Sequence, residues 1–111
     1  MSKRDNILLL KDMYEAAGKI ISYTQGMTFK DFEKDDKTVD AVIRNFEIIG
    51  EAANRLEESF KKGNPEISWD KMRGFRNRII HEYFGIDLEI VWQIIEDDIE
   101  GLITSLKKLL S

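Results

Sequence analysis

Apolar residues recur at helical spacing along almost the whole chain and mark out four main helices. Between Asp5 and Thr24, the residues Leu10, Tyr14, Ala17 and Ile21 fall three or four apart, with Ile7, Met13 and Ile20 beside them. Asp5 is placed to cap this helix and Gly26 to end it. Thr28 or Asp31 starts a short turn containing Phe29 and Phe32, and the charged stretch from Glu33 to Lys37 reads as solvated. A long second helix is expected over about Lys37 to Lys61, with Val39, Val42, Ile43, Phe46, Ile49, Ala53, Leu56 and Phe60 as its stripe. Gly63-Asn64-Pro65 then breaks the pattern, with Asn64 a candidate cap and Pro65 at a first-turn position. Ser68 or Asp70 opens a third helix to about Tyr83, whose apolar side is Trp69, Met72, Phe75, Ile79 and Ile80. Gly85 ends it. Asp87 caps a last helix, about Leu88 to Leu110, lined by Leu88, Val91, Trp92, Ile95, Ile99, Leu102, Leu106 and Leu109.

Four helices with short connections predict one all-α domain over residues 1–111, an antiparallel bundle of four to five helices. Gly50 and its neighbours Ala52 and Ala53 allow another helix to approach the second one closely. Two helices of about 24 residues would each run about 36 Å. That is long for so small a domain, so apolar surface is left over for a partner, and a homodimer is the simplest outcome.

Composition narrows the chemistry. With no cysteine and a single histidine, the chain has no disulfide framework and no thiolate metal site, and a zinc site within one chain is not expected. Its longest apolar run, Ile7 to Leu10, is too short to span a membrane, and Met1-Ser2-Lys3-Arg4 does not lead into a signal-peptide core. A cytoplasmic protein is expected. The net charge of −4 argues against coating of nucleic acid without specificity. The distribution is more telling. From Asp70 to His81 stand four cations, Lys71, Arg73, Arg76 and Arg78, against Asp70 alone, while acidic residues gather at Asp31 to Asp36 and Glu96 to Glu100. Asp97-Asp98 reads as solvated charge, with no glycine-rich loop before it, so the chain carries no nucleotidyltransferase site of its own.

The basic stretch surrounds the only histidine. His81, with an ordinary pKa of about 6.5, can give or take a proton near neutrality. Arg76 and Arg78 can fork onto phosphate oxygens. Asn77 stands four residues before His81, where on a helix its amide can orient the imidazole or bind a substrate hydroxyl. Arg76 and His81, five apart, would point about 140° from one another on a helix. They would flank a groove, one that a second copy of the chain can complete. Glu51 reads either as a surface or salt-bridged carboxylate or as the partner that steadies an arginine of the basic stretch. Tyr83 by itself reads as an aromatic at a helix end.

The spacing of Arg76, His81 and Tyr83 resembles the R-x4-H-x-Y motif of the HepT-like branch of HEPN domains. Phe46-Glu47-Ile48-Ile49-Gly50-Glu51-Ala52-Ala53 is similar to the I-I-G-E-A segment of that branch. Asn64-Pro65-Glu66-Ile67-Ser68-Trp69 resembles its P-x-I-x-W approach to the catalytic helix. Together these cover about residues 38–86. The resemblance implies a metal-independent endoribonuclease toxin, without cofactor, that acts as a dimer. Arg76 and His81 would be catalytic, with Asn77, Arg78 and Glu51 in support. It further implies that Tyr83 accepts AMP from a partner nucleotidyltransferase of the MNT type, which neutralises the toxin.

RNA carries its own nucleophile, the 2′-hydroxyl. Cleavage needs a base for that hydroxyl, an acid for the leaving 5′-oxygen and a cation for the phosphorane. One chain supplies one histidine and a twofold pair supplies two, so a composite site is expected with both copies of His81 and Arg76 facing one groove. Two other readings compete. One is a non-catalytic nucleotide- or partner-binding subunit of a nucleotidyltransferase complex; the other is a plain helical dimerisation module.

Overall fold

The computed structural model describes residues 3–81 and 85–111, without the side chains of Lys3, Arg76, Ile80 and His81. In order, its helices are α1 (Lys3–Thr24), α2 (Phe29–Lys34), α3 (Asp36–Arg55), α4 (Glu58–Gly63), α5 (Trp69–Arg73) and α6 (Phe75–Ile79). Two short strands follow, β1 (Ile80–His81) and β2 (Gly85–Ile86), and then α7 (Leu88–Ile94), a π-helical turn (Ile95–Ile99) and α8 (Glu100–Leu110). This is an all-α bundle, as the periodicity predicted. No helix among the described residues is long and apolar enough to cross a membrane.

The core is built from the predicted stripes. Leu10, Met13, Ala17 and Ile20 of α1 meet Val42, Phe46, Ile49 and Ala53 of α3, and Ile99, Leu102 and Leu106 close the other side. α1 and α3 run antiparallel: Asn6 near the start of α1 donates to Glu57 just past the end of α3, at 3.4 Å. Ile7 departs from its expected place. It and Leu8 are exposed, because the core face of α1 runs through Asn6, Leu10 and Met13. Asp5 is not the cap of α1 either. The helix starts at Lys3, and Asp5 lies in its first turn, where a negative charge suits the positive end of the helix dipole.

Other sequence signals are realised as expected. Gly26 leaves α1 with φ 77°, a left-handed conformation that favours glycine. Thr28 caps α2 in a reciprocal capping box: its hydroxyl accepts from the Asp31 N–H, and the Asp31 carboxylate accepts from the Thr28 N–H. Asp87 caps α7 by accepting from the Ile90 N–H at 3.2 Å.

The second predicted helix is two. α3 stops at Arg55, Leu56 is extended, and α4 begins at Glu58. Leu56 keeps the apolar period and is buried, so the pattern runs through the break unmarked. The break is stabilised from a distance. Lys61 is buried, and its ammonium donates to the Ala53 carbonyl at 3.1 Å, satisfying one of the acceptors exposed at the end of α3. Asn64 caps the end of α4, donating to the Phe60 carbonyl, and its own carbonyl accepts from the Trp69 indole at 3.0 Å.

Candidate active site

The third predicted helix is also interrupted, and this decides the geometry of the basic stretch. α5 ends at Arg73. Gly74 is its C-cap, where a side chain would meet the Asp70 carbonyl at 3.3 Å. α6 carries Arg76, Asn77 and Arg78 and ends at Ile79, two residues before His81. His81 lies on β1, paired with Gly85 of β2, and Ile80 is paired with Ile86. The helical-neighbour relation expected for Asn77 and His81 therefore does not hold, nor does the 140° relation of Arg76 to His81. The chain leaves the helix for pairing with a later segment, and the Asp87 N–H extends that pairing by donating to the Ile79 carbonyl at 2.7 Å. Gly85 turns the chain back with φ 76°. Tyr83 lies outside the described residues, as do the side chains of Arg76 and His81.

What holds the stretch against the bundle is a close approach to α3. A Cβ on Gly50 would stand 3.3 Å from the Met72 carbonyl and 3.8 Å from that of Arg73, so α5 lies on the bare backbone of α3 as the small residues predicted. Below this contact Phe75 meets Phe46 edge to face, with ring centroids 5.3 Å apart, and Met72 and Ile79 are buried on either side. Trp69 packs on Phe60, which ties α5 to α4.

The described cations of the stretch all have acidic partners. Arg73 pairs with Asp70, three residues earlier, and lies 4.0 Å from Glu58 of α4. The Glu58 carboxyl is held below its ordinary pKa, first by its hydrogen bond with Lys61, then by the charges of Lys61, Arg73 and Lys62. Lys71 donates to Asp98 at 2.8 Å, and Arg78 lies 3.8 Å from the other oxygen of the same carboxylate. Asp98 thus differs from its solvated reading. It sits in the π-turn, partly covered, and bridges two cations of the basic stretch. Nothing in its local sequence marks that role, because the partners stand 27 and 20 positions away. Asp97 beside it is exposed. Asn77 is exposed on α6. Glu51 is exposed on α3, 3.8 Å from Arg55 one turn on, and shares a groove with Gly50, Asn54 and Arg73.

A small helical bundle presenting one basic, histidine-bearing segment describes a class with known members. Residues 13–109 match the family described as ribonuclease HepT-like. The chain is 41% identical over 107 residues to a Thermococcus cleftensis protein named probable ribonuclease HepT, an alignment covering 96% of this chain and 97% of that one. It is 40% identical over 110 residues to a Methanocaldococcus jannaschii protein named a "putative RNase", covering 99% of this chain and 91% of the other. No solved structure matches it. The chain belongs to the ribonuclease HepT-like family and is an RNase by that membership.

Proposed function

We propose that the chain is the endoribonuclease toxin of a HEPN/MNT toxin–antitoxin pair, working without metal at a groove between two copies of itself. The observation that carries this reading is the family match over 13–109, which takes in Arg76, His81 and Tyr83 at the R-x4-H-x-Y spacing. The chemistry of those side chains suits it. One His81 accepts the proton of the ribose 2′-hydroxyl as its oxygen attacks phosphorus. The phosphorus–5′-oxygen bond breaks, and the partner subunit's His81 protonates the departing oxygen. A 2′,3′-cyclic phosphate and a 5′-hydroxyl result. Arg76 stabilises the charge that builds on the phosphorane. Asn77, Arg78 and Glu51 support these groups.

Neutralisation would fall on Tyr83. AMP carried there by an MNT-type nucleotidyltransferase adds negative charge beside the arginines and repels the RNA backbone, as a phosphoryl group would.

Cleavage of total cellular RNA in EDTA tests the catalytic reading. The wild-type chain, freed of AMP and partner, should leave cyclic phosphate ends, and Arg76→Ala and His81→Ala should not. Full cleavage by His81→Ala would remove that residue from the mechanism. For Tyr83, incubation with the cognate transferase and ATP should raise the mass of the chain by AMP units, and Tyr83→Phe should block the increase.

A further inference from the structure

Two cations of the basic stretch bring their charged ends to one point. Lys71 on α5 and Arg78 on α6 stand on either side of the Gly74 break, and both reach Asp98, with Lys71 Nζ 2.8 Å from Oδ1 and Arg78 Nη1 3.8 Å from Oδ2. Like charges repel, so such a convergence is stable only around an anion. A carboxylate and a phosphodiester each offer two oxygens to such a pair of donors. The two cations are 47% and 40% exposed while Asp98 is 21% exposed, so an anion from solvent meets the cations first. Lys71 and Asp98 also line a cavity of about 280 Å³ together with Ser68 and Ser105. Glu66 and Asp97 line it too, which confines an anion there to the side of Lys71. Ion pairs this accessible to water are weak, so exchange of one anion for another costs little.

We propose that Lys71 and Arg78 form a phosphate subsite for RNA, held closed in the free protein by Asp98. This rests on the ribonuclease reading above, which supplies RNA as the ligand, and it adds a contact outside the Arg76–His81 pair. Arg78 stands three residues before His81 in the chain. Asp98 restrains RNA affinity and takes no part in the reaction.

The test is binding of a 2′-O-methylated RNA, which has no free nucleophile and stays intact, followed by fluorescence anisotropy from 50 to 400 mM salt. Asp98→Asn should bind about two- to fivefold more tightly at low salt. The double variant Asp98→Asn/Lys71→Gln should lose that gain. Asp98→Asn binding no tighter than wild type, or a double variant as tight as Asp98→Asn, overturns the subsite. If thermal melting shows Asp98→Asn unfolded, Lys71→Gln alone decides. A salt slope lowered by about 0.7 supports the subsite and an unchanged slope overturns it. Wild-type cleavage of ordinary RNA, measured in parallel, separates the two ideas. Tighter binding by Asp98→Asn with no cleavage by any chain leaves the subsite and removes the endoribonuclease. Cleavage with unaltered Asp98→Asn binding does the reverse, and no RNA binding by the wild type overturns both.

Discussion

Replacing Lys61 by methionine isolates the contact that ends α3. Methionine keeps an unbranched stem of similar length, so packing against the core is largely preserved. What is lost is the 3.1 Å hydrogen bond from the ammonium to the Ala53 carbonyl. Ala53 is fully buried, so water does not replace the donor. A buried acceptor stripped of its partner costs about 1–3 kcal/mol, and we expect about 2 kcal/mol here. For a domain of this size that lowers the thermal midpoint by about 8 °C. Urea unfolding at neutral pH gives the free energy directly, with an unchanged dependence on denaturant as the sign that only stability has moved. The same ammonium also lies 3.1 Å from Glu58, and Glu58→Gln is the necessary control. Glu58 is largely in water, so its replacement should shift the midpoint far less. Two results would refute the reasoning. Lys61→Met within about 0.5 kcal/mol of wild type would mean the carbonyl finds another partner. Equal losses in the two variants would assign the effect to the ion pair.

Three further outcomes follow from the same contacts. Gly50→Val should cost about 1–3 kcal/mol, since its methyls must displace the Met72 carbonyl already 3.3 Å from a Cβ, and RNA cleavage should fall with it as α5 is pushed off α3. Denaturant unfolding and a cleavage assay on the same preparation check both. Asp87→Ala should cost about 1 kcal/mol through the lost cap at Ile90, read by the same unfolding, while Asp87→Asn should retain most of it. Acid should weaken the fold through three carboxyls. Asp31 is held below its ordinary pKa by the Thr28 N–H and then the Thr28 hydroxyl, Asp35 by the Thr38 N–H and then its hydroxyl, and Glu58 chiefly by Lys61. A folded-state pKa below the unfolded one contributes stability that is complete above the ordinary carboxylate range and is lost as pH falls through the lowered values, here below about pH 4. The triple variant Asp31→Asn/Asp35→Asn/Glu58→Gln should show a flatter loss between pH 5 and 2.5. A profile parallel to wild type would refute the assignment.

The bundle was legible because its stripes are regular and its caps are local. Thr28 with Asp31, Asp87 with Ile90, and Gly26 all act within a few residues of where they stand in the chain. Gly50 announced a close helix contact by its lack of a side chain. The misplaced boundaries have a common cause, which is control from outside the local segment. α3 ends at Arg55 although Leu56 continues the helical pattern, and the Ala53 carbonyl near its end is held by a lysine eight residues on. α6 gives way to a strand whose partners, Gly85 and Ile86, come later in the chain, with the Asp87 N–H bonded to the Ile79 carbonyl beside them. Asp98 looked solvated because its partners lie on another helix pair. For the candidate site, the residue types and their spacing were readable, whereas the helical neighbour relations built on them were not, since His81 stands on a strand.

The π-turn at Ile95–Ile99 resolves an arithmetic conflict in the last helix. Val91, Ile95 and Ile99 are all buried and follow each other in two steps of four. On a regular α-helix each such step overshoots a full turn by about 40°, so Ile99 would have rotated about 80° away from Val91. The wider winding advances less per residue and cancels the drift, bringing Leu102 and Leu106 back into phase with the residues before the turn. The turn is therefore a phase corrector that lets one continuous rod serve α2 at one end and α1 at the other. The turn holds about one residue more than an α-turn, so removing one residue would let the rod wind as a regular α-helix and leave Leu106 close to its present phase.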